Sequence, residues 1–419
     1  MHIDILDLST WDEGMWERMR WLRENDPVHW DEKNELWVLS RYAEVLHVSK
    51  NPQLFCSGEG VRPNMPAKLS IVDMDEPRHG QLRKLVNRGF SPRMVAKLEE
   101  YFRRLTTHYV GLVAEKGACD FVADVSVPLP LHLIAEMIGI DPKDREKFHH
   151  WSDTMIYSDG RYDDQTVMMK AASAFGEYWE YLENIIADRQ RCPREDLVSI
   201  LVHARDEGLL GVTQSRPDDD LAERLGSEEF ANMAHDELRM FLVTLLIAGN
   251  ETTRNAITGG ISALIENPTE RQKLMDDPGL IPTAAEEVFR YVSPVLNFAR
   301  TATADTTLRG KRITKGQQVL MLYPSANRDA EVFDAPDAFR VDRDPNPHLA
   351  FGIGNHFCLG ANLARMELRV ALGEILRRMP DMEYTDGPPK ISLSPLVRSF
   401  VSMPVRFTPE MRPTKVAAS

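Results

Sequence analysis

The sequence predicts a mainly α fold with a smaller β portion, and three observations carry that expectation. Apolar residues recur at three- and four-residue intervals across residues 236–266. A second helical stripe spans 359–378. Segments with strand character are few and short.

In chain order, helices are expected over 12–24, 78–89, 92–115, 131–138, 165–190, 236–266, 282–291 and 359–378. Strands are expected over 35–39 and 317–322 and around 399–407. The stripe over 236–266 is built from Leu238, Phe241, Leu242, Leu245, Leu246, Ile257, Ile261 and Leu264, and Asn267-Pro268 supplies its stop. At about 1.5 Å per residue this helix is roughly 45 Å long, enough to run through the middle of a domain. Its interior carries Gly249, Asn250, Glu251, Thr252 and Thr253, where propensity and burial would both prefer Ala or Leu. Such a local break in the rule marks a functional site. In the helix over 359–378, Leu363, Met366, Val370 and Ile375 lie near one stripe, with Arg365 and Arg369 on its flank. Residues 206–236, with Pro217 and Asp218 to Asp220, read as an acidic mobile connection, and 412–419 as a disordered tail.

The chain has 419 residues, 27% charged and 43% hydrophobic, a globular balance that excludes disorder, collagen and fibre. Fifty basic against 64 acidic residues leave a net charge of −14, which argues against nucleic-acid binding, a function that rests on clustered Lys and Arg. The acidic start, MHIDILDLSTWDEGMW, lacks the basic and apolar pattern of a signal peptide, and no run approaches the roughly 18 apolar residues of a membrane span. A cytoplasmic chain is expected. Cys56, Cys119, Cys192 and Cys358 are scattered without CxxC or CxxH spacing, so neither a disulfide framework nor a structural zinc site is indicated.

Cys358 stands apart because of its setting, Phe351-Gly352-Ile353-Gly354-Asn355-His356-Phe357-Cys358-Leu359-Gly360. Glycines there permit tight turns or close approach to a flat object. The helix that follows favours a thiolate, the form that a metal or a nucleophilic reaction needs. A buried structural Cys, or a nucleophile paired with His356, would account for an isolated Cys-Leu-Gly.

The complete ten-residue pattern resembles the haem-binding signature of the cytochrome P450 family, Phe-Gly-x-Gly-x-(His/Arg)-x-Cys-x-Gly, at every specified position. The resemblance implies the cytochrome P450 fold, with the long central helix over the haem, in a single catalytic domain over 1–411. It implies that Cys358 is the iron ligand, that His356 contacts a haem propionate, and that Phe351 packs over the sulfur side. Thiolate ligation pushes electron density to iron and favours O–O cleavage. Gly352 and Gly360 belong to the same cofactor-binding loop.

Further motifs agree. Glu287 and Arg290 match the family's Glu-x-x-Arg, whose spacing puts acid and guanidinium on one helix face, and Arg343 falls where the family places the second arginine of that network. Ala248-Gly249-Asn250-Glu251-Thr252-Thr253 is similar to the family's central-helix motif. By that resemblance Ala248 and Gly249 lie close to the haem, Gly249 opens the helix for dioxygen, Thr252 donates a hydrogen bond towards it, and Glu251 relays protons from solvent. The ordinary alternatives are a Thr hydroxyl bonded back to the helix and a solvated Glu. His79 and Arg83 match the family's His-x-x-x-Arg, and Arg300 its propionate arginine.

The resemblance further implies haem b (iron protoporphyrin IX), dioxygen as co-substrate, and electrons from NAD(P)H through separate proteins, a ferredoxin and its reductase. A basic patch of Lys84, Arg88, Arg93, Arg365 and Arg369 would attract an acidic donor. The substrate pocket is expected from Phe241, Leu245, Ala248, Val292, Val295, Leu296, Phe298, Leu396 and Val397, with further contacts in 61–71, 168–179 and 241–248. That lining suits a hydrophobic small molecule. Residues 250–258 and 346–349 look like those of actinobacterial members that hydroxylate steroids and methyl-branched lipids. Residues 323–329 resemble terpenoid hydroxylases, which supply the alternative substrate class. A haem-based sensor or carrier is the non-enzymatic alternative, and it has no need of Glu251 and Thr252. A monomer is expected.

Overall fold

The computed structural model describes residues 3–63, 70–90, 92–158, 160–206 and 228–411. Its axis is a helix over Glu228–Glu266, against which pack the helices Pro128–Ile138, Arg145–Tyr157, Gln165–Arg191, Ile281–Val292 and Ala361–Arg378. Phe241, Leu242, Leu246, Ile257, Ile261 and Leu264 of the axial helix are all buried in the main core. The axial helix begins before the expected 236, so 228–236 is not part of a connection. Asp206 likewise closes the helix Leu197–Asp206. The rest of the expected mobile segment, 207–227, and the expected tail, 412–419, lie outside the described residues.

Local chemistry sets the helix ends. Asp164 accepts the backbone N–H groups of Thr166 and Val167 at 2.9 and 3.1 Å, capping Gln165–Arg191. Gly139, at φ 91°, ends Pro128–Ile138 in the left-handed conformation that glycine adopts without strain. Ser293 ends Ile281–Val292, and its hydroxyl donates to the Arg290 carbonyl at 2.8 Å.

The larger sheet has five strands in the spatial order Val28–Asp31, Leu36–Leu39, Gln318–Leu322, Asn297–Ala302 and Phe55–Cys56. The second and third strands run parallel, with Leu36 opposite Gln318, and the remaining pairs are antiparallel. Both faces are covered. Val319 and Met321 enter one apolar cluster, while Leu320 and Leu322 enter another on the opposite face. That two-sided burial makes 319–322 a continuous apolar run rather than an alternating one. The face bearing Met321 also carries Val295 and Phe298, which brings the sheet to the functional cavity.

Candidate active site

A cavity lies between the axial helix, the sheet and the loop that leads into Ala361–Arg378, and Cys358 is in its wall. The loop is folded by its own backbone: the Cys358 N–H donates to the Phe351 carbonyl at 2.9 Å, and Gly354–His356 form a single 3₁₀ turn. Gly352 and Gly354 sit at φ 65° and 80°, where a side chain would be strained. At Gly354 a Cβ would also fall 2.5 Å from the Ser49 carbonyl oxygen, so the loop can lie on the helix Tyr42–Lys50 only with glycine there. At Gly360 a Cβ would meet nothing within 4 Å, which leaves that stretch of the cavity wall open to a broad flat group.

Burial pushes the Cys358 thiol up, against the Gly360 N–H and the positive charges of Arg83 and Arg365, which pull it down. The expected preference for thiolate at the helix start is therefore outweighed in the protein alone. A metal cation at the sulfur is what would remove the proton.

The same cavity gathers His79, Arg83, Arg300 and His356. The His79 and His356 rings lie 4.2 Å apart between centroids, and His356 Nε2 is 3.0 Å from Ser57 Oγ. His79 Nε2 is buried with no hydrogen-bond partner, and Arg300 Nη1 donates at 2.7 Å to the carbonyl of its own neighbour, Ala299. Burial, together with Arg300, His79 and Arg83, drives the His356 imidazole down to about 3. Such a concentration of buried donors is satisfied by an anion. A thiol in the wall, a flat open face and this end rich in buried donors fit a dianionic, iron-bearing macrocycle. Ala248, Gly249, Phe351, Gly352 and Gly360 line the same space.

Behind the loop lies a buried ion network. Arg290 grips Glu287 with two hydrogen bonds, Nε to Oε2 at 2.7 Å and Nη2 to Oε1 at 2.8 Å. Arg343 Nε reaches the same carboxylate at 3.0 Å, and Asn346 Nδ2 at 3.1 Å. Both guanidinium groups also donate to main-chain carbonyls of the segment 327–338, among them Asn327, Asp334 and Ala338. The network thus ties the helix Ile281–Val292 to the chain that leads into the cysteine loop.

On the axial helix the structure separates residues that adjoin in sequence. Thr252 faces the cavity, and its hydroxyl donates to the Ala248 carbonyl at 2.7 Å. Glu251 points away into the protein, 1% exposed. There it accepts from Ser399 Oγ at 2.6 Å and Asn255 Nδ2 at 2.8 Å and pairs with Arg254. Arg254 in turn donates to the half-exposed Asp153 at 2.9 Å, so a charged chain leads from Glu251 to the surface. Gly249 differs from expectation. Its missing Cβ leaves room for Ile134, whose Cδ1 would lie only 2.5 Å away, and the helix continues unbroken through it.

Of the expected pocket residues, Phe241, Leu245, Ala248, Val295 and Phe298 line the cavity. Val292, Leu296, Leu396 and Val397 do not. Val292 fills the space over Gly259 of the axial helix. Leu296 projects to the opposite face of the sheet, because neighbours in extended chain alternate. Leu396 and Val397 hold that edge through the Leu296 N–H to Leu396 carbonyl bond of 2.7 Å and a bridge between Val295 and Val397. No residue of 168–179 reaches the wall, whereas Val61 and Ile71 do, and 64–69 lie outside the described residues. Thr244, within the expected contact stretch 241–248, also lines the cavity, whereas sequence reasoning did not assign Ile134, Phe289, Tyr323 or Glu367 to it, all of which face it. Nothing local distinguishes them from core. Arg365 of the expected basic patch is paired with Glu286, Lys84 and Arg369 are exposed, and the side chains of Arg88 and Arg93 are not among those described.

A cysteine loop facing a long helix across a cavity rich in buried donors defines the class of site, and comparison with known proteins gives the family. The family model for cytochrome P450 matches residues 280–408. A steroid C26-monooxygenase of Mycolicibacterium smegmatis is 38% identical over 400 residues, 95% of this chain and 94% of that protein. A methyl-branched lipid omega-hydroxylase of Mycobacterium tuberculosis is 37% identical over 387 residues, 90% of this chain and 85% of that protein. Among solved structures, cytochrome P450 CYP109Q5 from Chondromyces apiculatus superposes with a TM-score of 0.82 at 32% identity, covering 97% of this chain and 98% of that one. CYP109E1 from Bacillus megaterium, solved in complex with testosterone, gives 0.78 at 31% identity over 93% of this chain and 98% of that one. The chain belongs to the cytochrome P450 family and is a monooxygenase, which brings with it haem iron and the use of dioxygen. Among the described residues no helix is long and apolar enough to cross a membrane.

Proposed function

We propose that the enzyme hydroxylates a steroid or methyl-branched lipid, using haem b and electrons passed from NAD(P)H by a ferredoxin reductase and a ferredoxin. One observation carries this reading: a thiol, two guanidinium groups and two imidazoles share a cavity whose remaining wall is mostly apolar. The named activities of the two mycobacterial relatives support the substrate class. Cys358 would hold the iron, and His79, Arg83, Arg300 and His356 the propionates. Bound there, the haem supplies the activation of dioxygen. Phe241, Leu245, Ala248, Val295 and Phe298 exclude water and hold the alkyl part of the substrate by burial alone. Thr252 presents Oγ1 to the same space, its proton on the Ala248 carbonyl and its lone pairs available to a protonated partner. Glu251 would relay protons towards Thr252, while Arg254 and Asp153 hold its carboxylate at the inner end of a charged chain without passing the proton themselves, since a guanidinium does not give one up.

The test is an optical titration of the haem-loaded protein with steroids, methyl-branched fatty acids and terpenoids, followed by product analysis with a surrogate ferredoxin and reductase. The reading expects a saturable spectral change and a hydroxylated product from the first or second group. Turnover confined to terpenoids overturns the substrate class.

A further inference from the structure

The cysteine loop is also braced from outside the cavity, by a charged cluster that plays no part in the reading above. Glu286 precedes Glu287 by one residue, so its side chain leaves the helix on a different side. It accepts Arg365 Nε at 2.7 Å and Nη2 at 2.8 Å in a two-pronged bond, and His348 Nε2 lies 3.2 Å from the same carboxylate. The Ala350 N–H points at His348 Nδ1 at 3.2 Å, so that nitrogen is the acceptor and the ring proton sits on Nε2, facing Glu286. The Arg365 guanidinium lies 4.7 Å from the centroid of Phe351, and the Phe289 ring lies 4.6 Å from it. Phe351 thus contacts both a cation and an aromatic ring while its carbonyl accepts the Cys358 N–H. One carboxylate therefore joins three elements: the helix of Glu287, the approach to the loop, and the helix that follows the cysteine.

An exposed ion pair would contribute almost nothing. This one is about 30% exposed on each side, held by a fork, and stacked on the loop itself. Its charges also lie beside the sulfur's own loop, because Arg365 sits over the ring of Phe351, whose carbonyl accepts the Cys358 N–H at 2.9 Å. Burial opposes ionisation of Glu286, but His348 and Arg365 outweigh it and hold the carboxyl down to about 2, so it stays an anion at ordinary pH.

We propose that Glu286 is a positioning residue for the sulfur ligand: by holding Arg365 over Phe351 and offsetting its charge, it sets the positive field at Cys358 and hence the reduction potential of the iron bound there. The inference rests on the haem-thiolate reading. The sign follows from charge. With Glu286 neutral, uncompensated Arg365 favours the reduced, more negative state, and the potential rises. With Arg365 neutral and Glu286 still charged, it falls.

The experiment is spectroelectrochemical titration of the haem-loaded protein and its variants. Glu286→Gln is expected to shift the potential upward, Arg365→Gln downward, and the double variant back towards the parent value. Glu286→Asp, which restores the charge, is expected to stay near the parent. A brace without an electrostatic role would move both single Gln variants in the same direction, and that result, or no shift in either, overturns the proposal. If Glu286→Gln does not take up haem, Arg365→Gln still decides the sign, and an upward shift or none in that variant overturns the proposal. A parent protein whose ferrous carbonyl absorbs like a histidine-ligated globin would instead defeat the thiolate reading, and the two failures are distinguishable in one sample.

Discussion

Replacing Glu287 by Gln keeps the side-chain volume and removes the negative charge that Arg290 and Arg343 share in the buried network. Either carboxylate oxygen is a poor place for an amide nitrogen. Oε1 faces Arg290 Nη2, the Arg340 N–H and Arg343 Nε at 2.8, 2.9 and 3.2 Å. Oε2 faces Arg290 Nε, Arg343 Nε and Asn346 Nδ2 at 2.7, 3.0 and 3.1 Å. The new NH₂ therefore meets three donors in either orientation. Breaking one side of a buried pair costs about 3–5 kcal/mol, and the carbonyls that still accept from both guanidinium groups place the cost in the lower part of that range, about 3–4 kcal/mol. With 419 residues at about 2.1 cal/mol/K each, the unfolding entropy is about 0.9 kcal/mol/K, and the midpoint should fall by about 3–5 °C. Differential scanning calorimetry of the haem-loaded parent and variant reads this directly. A midpoint within about 1 °C of the parent would mean that the network contributes no more than a surface pair and would refute the argument.

Gly249→Ala should destabilise by about 1–3 kcal/mol through overpacking on Ile134, and adding Ile134→Val, which removes the clashing Cδ1, should recover most of it in urea titrations. A double variant no better than the single would mean that the glycine serves something else. Thr252→Ala should leave the substrate-induced spectral change intact while product per NAD(P)H falls by about 10²-fold and peroxide accumulates, and undiminished product yield would remove Thr252 from proton delivery. Glu286 supplies a pH dependence. Its carboxyl is held at about 2 against an ordinary 4.5, so its contribution is complete above the ordinary value and is lost as pH falls towards the lower one. The stability gap between the parent and Glu286→Gln should be constant from about pH 8 to pH 5 and narrow below pH 4.5. A gap that does not change with pH would contradict the shift.

The long amphipathic helices were legible because burial on one face leaves a 3.6-residue signature, and Gln318–Leu322 because a strand covered on both faces is continuously apolar. Asn297–Ala302 escaped notice: its Asn297, Arg300 and Thr301 are polar yet buried, a pattern that neither period describes. At the site, Cys358 was legible because its glycines stand at fixed offsets around it. Glu251 and Thr252 were legible as a pair but not as opposites, since adjacent helical residues lie roughly 100° apart and only packing decides which faces the cavity. The same limit applies to Val295 and Leu296 on extended chain, where one lines the cavity and the other enters the far cluster. Ile134 and Tyr323 reach the cavity from distant parts of the chain through tertiary packing that no local pattern encodes.

The bond from the Cys358 sulfur to haem iron is tested most directly by the spectrum of the reduced, carbon monoxide-bound protein. The parent should show the long-wavelength Soret band of a thiolate-ligated haem, and Cys358→His should move it to the position of a histidine-ligated globin. A globin-like band in the parent, or a thiolate band that survives in Cys358→His, would contradict the account.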